Sequence, residues 1–138
     1  MTEDGPTLVV RTATDDDMNF IAASWFESFW KGAMRDTGMP FMSYKAGQDA
    51  LIRRLVKTST VVVVAAAVAP DEIVGYAVRE GPVAHYVYVK QAYRRLGIGK
   101  RLVEGCLLYT HQTRAGERVA RSIDAQYDPY ALYAPEDK

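Results

Sequence analysis

The chain has one cysteine, Cys106, and two histidines, His85 and His111, in 138 residues. A lone thiol excludes an intramolecular disulfide and a cysteine-rich zinc site, and two widely separated histidines argue against a histidine-based metal centre. An excess of one charge sign is missing as well: Lys+Arg and Asp+Glu stand at 17 each. No overall positive field therefore draws the protein to nucleic acid or to an anionic membrane. The apolar stretch 61–68 falls far short of the roughly 20 residues that a spanning helix needs. The acidic N-terminus lacks the basic and apolar regions of a secretory leader. Together these absences predict a cytoplasmic protein in a reducing compartment. What is present, 49% hydrophobic and 25% charged residues, is the composition of a folded globular protein. A chain of this length buries roughly two-thirds of its surface on folding, so a single domain over 1–138 is expected.

Hydrophobic periodicity orders the elements. Residues 8–11 alternate as a first strand. Thr14 and Asp17 have capping-box spacing, with three aspartates where a helix dipole favours negative charge. Met18, Ile21, Ala22, Trp25, Phe26 and Phe29 then recur at helical spacing, which predicts a helix over about 15–30. Gly32, Gly38 and Pro40 interrupt, and Ser43 is placed to cap a second helix carrying Leu51, Ile52, Leu55 and Val56. The β-branched run 61–68 reads as a central strand covered on both faces. Residues 69–72 read as a turn, and strands follow over 73–78 and 83–89. Ile98, Leu102, Val103, Cys106, Leu107 and Thr110 predict a helix over about 98–113 that Gly116 stops, with a last strand near 117–124. The order is β-α-α-β-β-β-α-β.

Between the strand and the helix lie Gly97 and Gly99, where backbone can approach a ligand closely and offer N–H groups to an anion. Two phosphate loops fail to fit. The dinucleotide fingerprint has Leu102 where its third glycine belongs, and a Walker loop would need Ser or Thr after Lys100 and glycine at Arg94. The pattern that fits is Arg-x-x-Gly-x-Gly at Arg94, Gly97 and Gly99, preceded by Tyr-Val-Tyr-Val and followed by Lys100-Arg101-Leu102-Val103.

This loop and the element order resemble the GNAT superfamily of N-acetyltransferases through about residue 113. The resemblance implies an α/β fold, a mixed and mostly antiparallel sheet flanked by helices. It implies acetyl-CoA as co-substrate and no metal. Arg94, Arg95, Leu96, Gly97, Ile98, Gly99 and Lys100 would hold the coenzyme A pyrophosphate, and the backbone of Val87 and Val89 would pair with the pantetheine arm. The family usually adds two further strands after its last helix, whereas this sequence stops at Lys138. A truncated C-terminal part implies either an open acceptor site or a homodimer that completes it.

Acetyl transfer needs a deprotonated amine, a stabilised oxyanion and a proton for the departing thiolate. By resemblance, backbone near Val87 serves the oxyanion. His85 matches a strand histidine of arylalkylamine acetyltransferases, and imidazole titrates in the right range for a base; a packed, hydrogen-bonded strand histidine is the plainer reading. Glu80 is a second base candidate or a solvated turn residue. Tyr133, in Tyr130-Ala131-Leu132-Tyr133, is the acid candidate or a packing aromatic. Ser28, Trp30 and Arg35 are expected at the acceptor site, whereas Trp25, Phe29 and Cys106 are expected in the core. The implied activity is transfer of acetyl to a primary amine of a protein, peptide or small molecule, by direct attack in a ternary complex. The alternative is a noncatalytic acyl-CoA-binding or protein-interaction module.

Overall fold

The computed structural model describes residues 7–94 and 96–132. Strands β1 (Leu8–Thr12), β2 (Thr60–Ala66), β3 (Ala69–Glu80) and β4 (Val83–Val89) pair antiparallel in chain order. Two-residue strands β5 (Leu108–Tyr109) and β6 (Gln126–Tyr127) then add on in parallel, so the described sheet runs β1-β2-β3-β4-β5-β6. The continuous apolar run of β2 follows from helices on both faces: Val61 and Val63 enter one core cluster and Val64 the other.

Helices α1 (Asp15–Phe29) and α2 (Phe41–Thr58) cover the first face. The Thr14–Asp17 pair starts α1 as expected, since the Thr14 N–H donates to Asp17 Oδ2 at 2.8 Å. The same carboxylate accepts from Arg11 Nη1 at 2.6 Å, which ties the helix start to β1. From α1, Ile21, Trp25 and Phe29 are buried, and from α2, Tyr44, Ile52 and Leu55. Each such side chain contributes roughly 1.5–3 kcal/mol by leaving water. α1 runs on into a π-helical turn, Trp30–Met34, then a 3₁₀ turn, Arg35–Thr37. Pro40 rather than Ser43 sits at the start of α2, because its fixed φ and missing N–H cost nothing there.

Two other expectations change. Residues 69–72 belong to β3 rather than to a turn; the chain reverses at Ala67–Val68, and the register jumps from Ala66↔Ala69 to Ala65↔Ile73. Pro70, Asp71 and Glu72 thus form a bulge, where proline is tolerated. The helix expected over 98–113 ends early, as α3 (Ile98–Leu102). Gly105 takes φ +87, a left-handed conformation that halts a helix, and the Arg79 guanidinium donates to the freed carbonyls of Leu102 (3.1 Å) and Glu104 (3.0 Å). Cys106 is buried beyond that helix. The strand expected at 117–124 is instead helix α4 (Arg114–Ser122), and Gly116 lies in its first turn, donating to the Thr113 hydroxyl at 2.9 Å. The expected order therefore holds through α3; β5 falls within the span expected to be helical, and α4 and β6 follow it. α3 and α4 meet the second sheet face, where Val74, Ala77, Ala84, Ile98 and Leu102 cluster. Among the described residues, no helix is long and apolar enough to cross a membrane.

Candidate functional site

β4 parts from its neighbour halfway along. Toward β3 it stays paired to Val89, but toward β5 the pairs are Val83↔Leu108 and Ala84↔Tyr109, followed by one bond from the Thr110 N–H to the Ala84 carbonyl. From Tyr86 to Val89 that edge pairs with no strand among the described residues and opens into a cleft of about 980 Å³. The far wall is α4 with Thr113, and the near end is closed by Ser28, Lys31 and Gly32 at the α1–π-turn junction. The floor is the loop into α3, including Arg94, Gly97, Ile98, Gly99 and Lys100.

Gly97 holds φ +79 at the start of α3, a backbone state that glycine adopts without strain. A helix of only five residues sums too few peptide dipoles to attract an anion strongly. Side-chain charge takes that part. Lys31, Arg94, Lys100, Arg114 and Arg118 line the cleft, and no Asp or Glu among the described residues does. Lys31 pairs with Glu27 at 3.0 Å. Arg94 Nε donates to the Val89 carbonyl at 2.7 Å, which places its guanidinium at the open edge of β4. Such a surface suits a flexible polyanion with amide groups that can pair with a strand edge.

Behind β4 lies a sealed polar cluster. His85 has no exposed surface; its Nε2 donates to Glu80 Oε1 at 2.9 Å, and its Nδ1 meets the Thr110 hydroxyl at 3.1 Å. Thr110 Oγ1 is also 3.0 Å from His111 Nδ1, whose Nε2 accepts from Gln48 Nε2 at 2.8 Å. Gln48 Nε2 can only donate, so His111 carries its proton on Nδ1 and gives it to Thr110. Burial, with His85 nearby, pushes His111 down to about 3, so it stays neutral. The two histidines, far apart in sequence, thus meet across one threonine. Neither forms part of a metal-holding group among the described residues.

The structure gathers some of the expected residues and separates others. Val87, Val89, Arg94, Gly97, Ile98, Gly99, Lys100 and Ser28 line the cleft. Ser28 Oγ lies 2.6 Å from Tyr86 Oη, and Tyr86 stacks on Trp25 at 5.1 Å. Burial pushes the Tyr86 phenol up to about 12, so it remains neutral. Leu96 is exposed and outside the lining. Trp30 packs on Phe41 and Tyr44 (5.2 and 5.0 Å), and Arg35 sits on the 3₁₀ turn beside Asp36; neither lines the cleft. His85 and Glu80 bind each other, and neither is among the residues that line the cleft. Arg95 and Tyr133 lie outside the described residues. Sequence reasoning missed Lys31, Tyr86, Arg114 and Arg118. The i,i+4 spacing of the two arginines is the signal that reading their segment as a helix would have exposed.

A family model described as an acetyltransferase (GNAT) domain matches residues 57–134 of the 138. The chain therefore belongs to the GNAT acetyltransferase-domain family. Among solved structures it is similar to apo YjaB from Escherichia coli, with 20% identity and a TM-score of 0.52 over 71% of this chain and 63% of that one. It is similar also to yncA from Salmonella typhimurium, solved with its cofactor acetyl-CoA (19% identity, TM-score 0.50, 83% of this chain and 77% of that one). A third is the aminoglycoside N-acetyltransferase AAC(6')-Iy in complex with CoA (12% identity, TM-score 0.51, both chains covered fully). Likeness at these identities establishes the fold. No curated protein matches the chain.

Proposed function

We propose that the protein, acting as one domain over 1–138, transfers an acetyl group from acetyl-CoA to a primary amine by direct attack in a ternary complex. The amine nitrogen attacks the thioester carbonyl, the C–N bond forms as the C–S bond breaks, the nitrogen loses a proton and the thiolate gains one. The observation that carries this reading is the cleft. It combines an unpaired stretch of β4 with a Gly97 loop and four cations, Arg94, Lys100, Arg114 and Arg118, that pair with no carboxylate among the described residues. Coenzyme A is a polyanion with an amide-bearing arm, and this combination answers both features. Two neighbours on this fold are structures with acetyl-CoA or CoA bound.

In this reading the backbone of Val87 and Val89 pairs with the pantetheine arm, and residues 94–100 hold the pyrophosphate. Arg118 meets the remaining phosphate, and Ser28 and Tyr86 face the acceptor. Glu80 and His85 act through Thr110, fixing where β5 leaves β4, rather than by touching the amine. Tyr133 or solvent water protonates the thiolate. Acetyl-CoA should raise the melting temperature, and free thiol should appear when amines are added; absence of any shift with folded protein would overturn the cofactor assignment. The burial of His85 favours one second reading, a noncatalytic acyl-CoA-binding module, for which stabilisation by acetyl-CoA without thiol release under any amine would be the signature.

A further inference from the structure

Resting on the acetyl-transfer reading above, we infer that the acceptor is a weakly basic amine that arrives already deprotonated, the N-terminal α-amine of a peptide rather than a lysine side chain or a polyamine. The argument begins with what can take a proton in the cleft. No carboxylate among the described residues lines it. The only two imidazoles of the chain are His85 and His111. Both are buried, and both have each ring nitrogen committed to a hydrogen bond. Glu80 is engaged with His85 at 2.9 Å and is not among the residues that line the cleft.

What does line the acceptor end is neutral or positive. The Ser28–Tyr86 hydroxyl pair can accept from or donate to a free amine. Arg114 lines the same cleft next to Thr113, which packs by Gly32, and Lys31 lines it too with its ammonium paired to Glu27. Cations nearby disfavour a second positive charge, so an ammonium entering here is driven toward its neutral form or excluded. The acceptor's own basicity then decides how much of it reacts. At pH 7 an α-amine with an ordinary pKa near 7.7–8.0 is free in roughly one molecule in ten, whereas a lysine amine near 10.4 is free in about one in 2,500. That difference of a few hundred-fold selects the α-amine with no pocket to read the rest of the molecule.

The test follows thiol release from saturating acetyl-CoA with four acceptors: alanine, an alanine-led dipeptide amide, Nα-acetyl-lysine and spermidine. At pH 7 the dipeptide amide should exceed alanine, Nα-acetyl-lysine and spermidine in kcat/KM by at least ten-fold, alanine lagging because its own carboxylate keeps its amine protonated. The ascending, acid-side limb of the kcat/KM profile should move upward by about two pH units from dipeptide amide to Nα-acetyl-lysine, tracking the amine. Lys31→Glu, which places a carboxylate in the cleft, should narrow the gap between the two at least three-fold. One limb at a fixed pH for all four acceptors, or faster turnover of the lysine or polyamine at pH 7, would overturn the inference while leaving acetyl transfer intact. Silence with every amine, despite stabilisation by acetyl-CoA, would remove the acetyl-transfer reading and this inference with it.

Discussion

The two ends of β4 share one backbone and have opposite surroundings. At Val83–Ala84 the strand has neighbours on both sides, and the next residue, His85, sits at an irregularity in the β3 pairing with its side chain buried between Glu80 and Thr110. At Tyr86–Val89 the strand has one neighbour among the described residues, and its free edge faces a cleft of about 980 Å³. The contrast separates two things that a strand can do with hydrogen-bonding capacity. Where it is fully used, it fixes the position of β5; where it is left open, it can bind. The open end owes little to unusual side chains and much to a pairing that stops.

The largest expected effect breaks the open end alone. Gly97→Val puts a β-branched residue at φ +79, where strain of about 1–3 kcal/mol is typical. No atom lies within 4 Å of the added Cβ, so the sheet should survive while coenzyme A binding, measured by calorimetry, falls at least ten-fold. Normal binding would detach the loop from the cofactor. The sealed end should respond in the opposite currency. Thr110→Val strips both histidines of a partner and should cost about 1–3 kcal/mol, read as a lower urea midpoint. An unchanged midpoint would mean that the cluster does not hold β5.

A smaller effect sharpens the comparison along the cleft wall. Arg118→Ala should weaken coenzyme A binding roughly three- to ten-fold, and the difference from wild type should shrink as salt rises, because exposed charges are screened. The smallest effect lies away from both ends. Hydrogen bonds from Arg11 hold Asp17 down to about 2. A carboxyl depressed in the folded state contributes fully above its ordinary range near pH 4, and that contribution is lost as pH falls through about 2. Asp17→Asn should flatten this part of the stability profile in acid unfolding and leave coenzyme A affinity alone; a steep loss retained between those pH values would shift the cause to another carboxylate.

Local signals carried the first two-thirds of the fold. The Thr14–Asp17 cap and the Ile21–Trp25–Phe29 spacing act within one or two turns, so α1 was legible in sequence. The Gly97–Gly99 loop was legible for the same reason. The C-terminal third was not, because what ends α3 comes from β3: Arg79 reaches carbonyls 23 and 25 residues away. Without that partner in view, Cys106, Leu107 and Thr110 simply continue a helical spacing. α4 misled in the other direction, since only Ala120 is buried in it and so short a stripe looks no different from a strand. His85 was visible as a polar residue in a strand, but its burial depends on Thr110, 25 positions later. The cleft cations on α4 were lost with the helix.

The sealed cluster also makes the folded chain inert to histidine-directed acylating reagents. Such reagents attack a ring nitrogen with a free lone pair, and both imidazoles of the chain are buried with their nitrogens engaged. Any labelling must therefore wait for the β4–β5 junction to come apart, so the rate of modification clocks that opening. A ligand resting along the free edge of β4 would slow the clock without touching either ring.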